Sequence, residues 1–551
     1  MEAISKNTVA EKSTSQHHLN SPTLTLLVGV AALGALMYAT FLFNPRNAGD
    51  LAAYILVLIA ESFIILQATL ALWTILSGGF NPRDFDYYVA KRNLLHGPAN
   101  APAKTTIRHA SAATLPLFLH RRRVSIDVFI PVYGEPLHTV EATVSAARNL
   151  VGAHGTYILD DGKSAEIRTL AKEQGVGYIR RPTNEGAKAG NINFGLAQTS
   201  ADFFVIFDAD FVPKPSFLIE TLPFFAQPIV AFVQTPQHYG NLHNVISRGA
   251  GYMQNVFYRL IQPGKNRFAA AFCVGTNVIF RRSAIDEIGG LYQASKSEDI
   301  WTSLHLHERG YRSVFIGDVL ATGDAPDTIE AYMKQQLRWA TGGFEILLRH
   351  NPLTAKLTID QKLQYLGTTS YYLHGVAISL LLLLPPLHII FNISPVNLSI
   401  GFAAWLFYYL AFYAMQVTVA FYAMEGFRLE AIILAMVSFP VYLKALSNVL
   451  LRRDVAWRAT GDRGAAQSPF NFIVPQVLIF GFLAIVTAIG IWKTVYTGTL
   501  ALSLVWNLLN TVIFGAFVIM ALREARQVRS SQAVERPVRA KSRQLTPKVH
   551  V

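Results

Sequence analysis

Apolar residues in this chain fall into long unbroken runs toward both ends and short, spaced runs through the middle. Pro22–Phe43, Leu51–Ser77, Tyr371–Ile393, Ile400–Met424, Phe472–Trp492 and Thr499–Leu522 each read as one continuous apolar stretch. A helix needs about 20 such residues to cross a bilayer, so each stretch predicts a membrane span. A seventh stretch, Leu429–Leu450, is interrupted by Glu430, Pro440, Lys444 and Asn448. A mid-membrane lysine costs roughly 2.5–3.5 kcal/mol on insertion scales, and an internal proline removes a helix hydrogen bond. The basic loop Arg121–Arg123 and the basic tail from Arg523 belong on one side of the membrane, which requires an even number of crossings between them. The seventh stretch is therefore expected to lie along the interface. That leaves about six spans, two before the middle block and four after it.

Between Ser125 and His350 the pattern changes. "SIDVFIPVY", "GTYILDD", "VGYIRR", "DFFVIFDAD" and "IVAFVQTP" are short apolar runs of strand length. Helix-length stretches such as Thr139–Leu150 and Ala165–Gln174 separate them. Strand–helix alternation at this spacing predicts a mostly parallel sheet covered on both faces. The expected organisation is a polar tail (1–21), two spans (22–78) and a basic linker (79–124). An α/β domain (125–350) follows, then interfacial helices and four spans (351–522), and a basic tail (523–551).

Composition agrees with this division. The 551 residues are 52% hydrophobic and 15% charged, against about 25% charged for a soluble domain. The net charge of +13 gathers outside the apolar runs, with eight Lys or Arg from Arg523 onward. Such clusters read as the positive-inside signal, and no recognition motif accompanies them, so a nucleic-acid partner is not expected. Cys273 is the only cysteine, which excludes an internal disulfide. The first twenty residues are polar and no cleavage site closes the first apolar run, so a cleavable leader is not expected. Glu61 stands inside the second span, where a carboxylate either lines a polar path or is packed between helices.

The candidate chemistry sits at strand ends. Ligands of open parallel sheets bind at the carboxyl ends of the strands, and there "ILDDG" presents Asp160 and Asp161 while "VIFDAD" presents Asp208 and Asp210. Two carboxylates two residues apart can share one hard cation, which takes oxygen ligands and bridges phosphates. No GxxxxGK[ST] phosphate loop occurs. "NEGAKAGNIN" sets Lys188 among small residues that let backbone approach a ligand. "SEDIW" places Glu298 and Asp299 after Ser297, an expected helix N-cap. In "KQQLRWATGG", Gln335 and Arg338 fall on one helix face, followed by Trp339.

Taken in order, "DVFIPVYGEP", "LDDGK", "GAKAGNIN", "FDAD", "VQTPQ", "SEDIW" and "QQLRW" resemble the processive family-two glycosyltransferases of the bacterial cellulose synthase type. The resemblance runs from about Ser125 to Leu522. It implies a GT-A domain inserted between transmembrane helices that polymerises a β-glucan from UDP-glucose and exports it. Asp160, Asp161 and Lys188 would hold the uridine end, with Tyr133 and Glu135 nearby. Asp208 and Asp210 would meet the diphosphate and a Mg²⁺ or Mn²⁺ ion, and Gln335 and Arg338 would bind the diphosphate. Asp299 would be the general base; Trp339, Glu298 and Cys273 would face the acceptor glycan. Location in a bacterial inner membrane, with the α/β domain in the cytosol and accessory export subunits as partners, is implied in the same way. A non-processive transferase using a lipid acceptor, a synthase of another β-linked polysaccharide and a transporter with a nucleotide-binding domain are the alternatives.

The sequence also departs from that pattern. Phe211 stands where many cellulose synthases have His, "FCVGTN" has one residue more than their Phe-Cys-Gly-Ser, and Ser297 replaces Thr. "WRATGD" (Trp457–Asp462) occupies the gating-loop position within 451–470 but lacks the later Lys. Arg539 and Arg543 have the spacing that opens a PilZ domain, yet only eight residues follow, so such a domain is not expected in this chain.

Overall fold

Strands β1 (Ile126–Val132), β2 (Gly155–Asp160), β3 (Gly177–Ile179), β4 (Phe203–Ile206), β5 (Val230–Gln234), β6 (Val278–Arg281) and β7 (Arg312–Phe315) form one sheet in a computed structural model. The structure describes residues 21–96, 112–397, 402–453 and 468–544, the side chains of Phe402 and of residues beyond 530 excepted. The strand order is β7-β5-β6-β4-β1-β2-β3, and only β6 runs antiparallel to its neighbours. Period-two alternation along β1 explains why the sheet is buried on both sides. Val128 and Ile130 enter one core with Val205, Phe207 and Val233, while Phe129 enters the other with Phe204, Phe232 and Phe280. Five of these strands correspond to the predicted runs; β6 and β7 were not anticipated, and β6 turns the parallel sheet into a mixed one.

A small second sheet sits over the strand ends, pairing Ala321–Gly323 with both Val212–Pro213 and His238–Tyr239. Its antiparallel register sets Thr322 opposite Val212 and Ala321 opposite Pro213. Continued by two residues, that register brings Asp324 opposite Asp210.

The domain hands over to the apolar helices through the helix Ile329–Arg349. Its N-cap Thr328 hydroxyl accepts the Ala331 N–H at 3.2 Å. Its apolar face packs Ala340 and Phe344 against Tyr442, Ala445 and Val449 of the helix Phe439–Leu450. The following helix, Ile359–Ser370, opens on a capping box between Thr358 and Gln361 and leads into His374–Phe391.

Among the described residues seven helical segments are long and apolar enough to cross a membrane, Leu429–Leu450 among them. By length and composition it qualifies as a seventh span beside the expected six. The chain breaks it at Ser438, where Leu429–Val437 ends and Phe439–Leu450 begins with Pro440 in its first turn. Both pieces rest on helices of the α/β domain: Leu434 lies close enough to Gly249 that a Cβ there would touch it at 2.6 Å. Glu61 is packed between helices, 3% exposed, and its carboxylate accepts the Tyr413 hydroxyl at 2.6 Å. Most of the expected gating loop, with Trp457 and Thr460, lies outside the described residues.

Candidate active site

The loop after β4 is fastened on both sides before it presents its carboxylates. The Asp208 N–H donates to Thr276 Oγ1 at 2.8 Å, and the Ala209 carbonyl accepts the Thr143 hydroxyl at 2.8 Å. Asp208 then pairs with Lys188 Nζ, which also donates to the Gly275 carbonyl at 2.8 Å. Gly275 adopts φ +86°, and a Cβ built on it would meet both Asp299 Oδ2 and Lys188 Nζ at 3.4 Å. Lys188 and Asp299, 111 residues apart in sequence, thus border the same backbone atom.

Among the described residues no such cation pairs with Asp210. Burial pushes its pKa above the ordinary aspartate range, and Asp208, Glu135 and Asp324 push it further. Burial and Asp208 also raise Glu135, whose Oε2 accepts the Tyr133 N–H at 2.6 Å. Glu298 and Asp299 are raised by burial as well; the Asp299 charge raises Glu298 further, while Lys188 and Arg338 draw both down. Asp299 Oδ1 accepts the Ile300 N–H at 2.8 Å, leaving Oδ2 toward Gly275. The fold therefore collects acids here faster than it neutralises them, which suits a cation-bearing anionic ligand. Among the described residues no three side chains converge as a complete metal shell. Asp208 and Asp210 fit a hard divalent ion that draws its remaining oxygens from phosphates and water.

The opposite wall is the helix Ile329–Arg349. The Tyr239 hydroxyl donates to Gln237 Oε1 at 3.1 Å; Gln335 and Arg338 also act on it, and Arg338 acts electrostatically on Glu298 and Asp299. Trp339 is half-buried on the same helix. Ser297 holds the expected N-cap position, but its hydroxyl donates to the Arg338 carbonyl at 3.3 Å and makes no cap bond to its own helix. The reason is proximity: at Gly342 a Cβ would lie 2.1 Å from Ser297 Oγ.

Three sequence-expected residues have different places. Asp160 is fully buried and accepts the Lys163 and Ser164 N–H groups at 2.9 Å and the Tyr178 hydroxyl at 2.8 Å. It shapes the loop behind the site and offers no surface to a nucleotide. Asp161 takes a two-pronged ion pair from Arg181, at 2.7 and 2.6 Å, and Arg181 also donates to the Ala187 carbonyl at 2.8 Å. That ties the loop to the start of the Lys188 helix. Cys273 is 2% exposed and its Sγ accepts the Gly275 N–H at 3.3 Å, so it sets the Gly275 backbone and does not line an acceptor groove. Tyr239 and Asp324 were not anticipated. Tyr239 lies two residues past the "VQTPQ" run, a signal within reach of sequence reading. Asp324 becomes a neighbour of Asp210 only through strand register, which the sequence does not display.

With this geometry in place, comparison with known proteins is informative. Residues 203–422 match the family described as glycosyl transferase family group 2. The chain is 36% identical over 263 residues to a cellulose synthase catalytic subunit (UDP-forming) of Xanthomonas axonopodis pv. citri, covering 46% of this chain and 36% of that one. It is 30% identical over 437 residues to the subunit of the same name from Pseudomonas fluorescens, covering 74% of this chain and 58% of that one. The chain thus spans between about a third and just over half of these relatives. Among solved structures, it resembles a mannosyltransferase of Pyrobaculum calidifontis in complex with GDP-Man and Mn²⁺, at 16% identity and TM-score 0.46, over 72% of this chain and all of that one.

Proposed function

We propose that this chain, which carries a family-two glycosyltransferase domain and is related to bacterial cellulose synthases, is a membrane-embedded processive β-glucan synthase. The donor is UDP-glucose, and the product passes out between the apolar helices. One observation carries the reading: Asp299 Oδ2 and the Lys188–Asp208 pair border the same point at Gly275, beneath the helix that bears Arg338 and Trp339. A base and a diphosphate anchor then adjoin the helix that carries Arg338 and, one residue on, the ring proposed to stack the sugar.

In the reaction, Trp339 stacks the terminal sugar of the acceptor, and Asp299 accepts the proton of its attacking hydroxyl. Burial keeps Asp299 a stronger base than a surface aspartate. The hydroxyl oxygen bonds to the anomeric carbon as the bond to UDP breaks, so an α-linked donor gives a β-linked product. Arg338 and Lys188 hold the negative charge that grows on the leaving diphosphate. Asp208 and Asp210 would hold a Mg²⁺ or Mn²⁺ ion, which supplies Lewis-acid stabilisation of that same leaving group. Asp160 and Asp161 act through the loop they organise. The proposed setting is a bacterial inner membrane with the α/β domain cytosolic, on the side marked by the basic Arg121–Arg123 loop and tail. Accessory export subunits would receive the product.

The test is incorporation of radiolabel by the purified protein in proteoliposomes with Mg²⁺, using a panel of UDP-sugars and digesting the product with linkage-specific glucanases. An insoluble glucan from UDP-glucose is expected. Polymer from another UDP-sugar alone would overturn the glucan assignment, and no polymer from any donor would overturn the synthase reading.

A further inference from the structure

The helix Glu298–Glu308 carries Asp299 at one end and ends at Glu308, a carboxylate with no part in the chemistry above. Two imidazoles hold it. His305, on the same helix, contacts Oε2 through Nδ1 at 3.1 Å; His350, the C-cap of the helix Ile329–Arg349, contacts Oε1 through Nε2 at 2.9 Å. The two rings lie 5.7 Å apart, edge to face, with the Trp301 ring 5.6 Å from His350. Burial works to raise Glu308, but the two histidine contacts outweigh it and hold the pKa below the ordinary glutamate value. An ionised carboxylate only accepts, which places a proton on Nδ1 of His305 and on Nε2 of His350.

The placement matters because the same two helices also meet close to Asp299. There the Ser297 hydroxyl meets the Arg338 carbonyl and Ser297 presses on Gly342. Beyond it Ile300, Trp301 and Leu304 pack with Ile346, apolar contacts that hold the helices together without a directional bond. Glu308 lies nine residues beyond Asp299, about 14 Å along the helix, and His350 lies eleven beyond Trp339, about 16 Å. A second hydrogen-bonded attachment at that distance fixes the register of the packed pair. Two residues before Ser297, the Ser295 hydroxyl donates to Glu345 at 2.6 Å.

We propose that Glu308 is a positioning residue for sugar transfer: clamped by His350, it fixes the helix bearing Asp299 against the helix bearing Arg338 and Trp339. The inference rests on the functional reading above for what is being positioned. Within the clamp, only the His350 arm joins the two helices, whereas the His305 arm closes within one. The helix end has another anchor that stays in every variant. His307, kept neutral by burial that lowers its pKa to about 3, contacts the Tyr365 hydroxyl at 2.8 Å and the Ser313 hydroxyl at 3.0 Å. Loss of Glu308 should therefore loosen the pair without unfolding it.

The test compares Glu308→Ala, His350→Ala, His305→Ala and the Glu308→Ala/His350→Ala double variant in proteoliposomes, with kcat and KM for UDP-glucose. Glu308→Ala and His350→Ala are each expected to lower kcat about tenfold, in keeping with the sensitivity of transfer to sub-ångström misplacement. KM should stay within about twofold of the wild-type value, since a positioning loss falls on the transition state. The double variant should be no slower than either single one, and His305→Ala should retain most of kcat. A readout independent of activity uses spin labels at Arg309 and Arg349, 57% and 48% exposed. Their distance distribution should be narrow in the parent and broad after Glu308→Ala. Unchanged kcat with an unchanged distribution overturns the clamp, as does an equal loss from His305→Ala. Absence of polymer from the wild type, with the distribution still broadening, would overturn the functional reading and leave the clamp standing.

Discussion

Gly342→Ala is the smallest change that separates the two walls of the site. The added methyl would lie 2.1 Å from Ser297 Oγ and 2.2 Å from Ser297 Cβ. Non-bonded heavy atoms rest at about 3.5–4.0 Å, so the Ser297 and Gly342 backbones must part by more than about 1 Å. Alanine in place of a mid-helix glycine gains roughly 1 kcal/mol of helix propensity. Overpacking costs about 1–3 kcal/mol, so the net stability loss is about 0–2 kcal/mol. Catalysis is affected far more, because Asp299 follows Ser297 by two residues and Arg338 precedes Gly342 by one helical turn. A displacement of about 1 Å costs on the order of 100-fold in rate. Gly342→Ala is thus expected to lower kcat about 100-fold while the thermal midpoint in detergent drops by only a few degrees. Ser297→Gly removes both contacting atoms, so the double variant should recover the kcat of Ser297→Gly alone. Wild-type kcat in Gly342→Ala, or no recovery on adding Ser297→Gly, would refute the argument.

Other outcomes follow from the same geometry. Asp299→Asn should abolish transfer while calorimetry shows UDP binding retained; a transporter with a regulatory nucleotide domain would keep its activity. Asp324→Asn should weaken Mn²⁺ affinity about tenfold, the size of an outer-sphere effect, measured by electron paramagnetic resonance of the UDP-bound protein. Asp210, Glu298 and Asp299 all have folded pKa values raised above their unfolded ones. A raised acid penalises the fold fully above its folded pKa, and the penalty fades as pH falls toward the unfolded value of about 4. Without nucleotide and metal, melting temperature should therefore rise as pH is lowered from about 8 to about 6. Glu298→Gln should flatten that slope, and a slope of opposite sign would contradict the assigned shifts.

Much of the fold was legible in the sequence because burial leaves a one-dimensional trace. β1, β2 and β4 are near-continuous apolar runs ending in Tyr133, Asp160 and Asp208, and their order along the chain is enough to predict a sheet with acids at one end. The short strands β6 and β7 were missed for a physical reason. β6 follows the irregular "FCVGTN" segment and runs into Arg281 and Arg282, while β7 begins at an exposed Arg312, so neither carries a distinct periodic signal. Lys188, Asp208 and Asp299, each singled out by its motif, lie together around Gly275, but the roles of the other motif residues were not visible. That Asp161 is committed to Arg181, twenty residues on, and that Asp160 is sealed beneath its own loop are facts of packing. The register that faces Asp324 toward Asp210 and the clamp joining Glu308 to His350 depend on contacts between elements far apart in sequence.

The central claim is that transfer at Asp299 feeds a growing chain directly into the membrane helices. It is tested most directly in sealed proteoliposomes, by selecting the molecules whose α/β domain faces outward. Limiting radiolabelled UDP-glucose and Mg²⁺ are added outside, followed by an excess of unlabelled donor, and then external glucanase. The account predicts long labelled chains that resist the external enzyme until detergent opens the vesicles. Short or lipid-linked products, digested completely while the vesicles are still sealed, would contradict it.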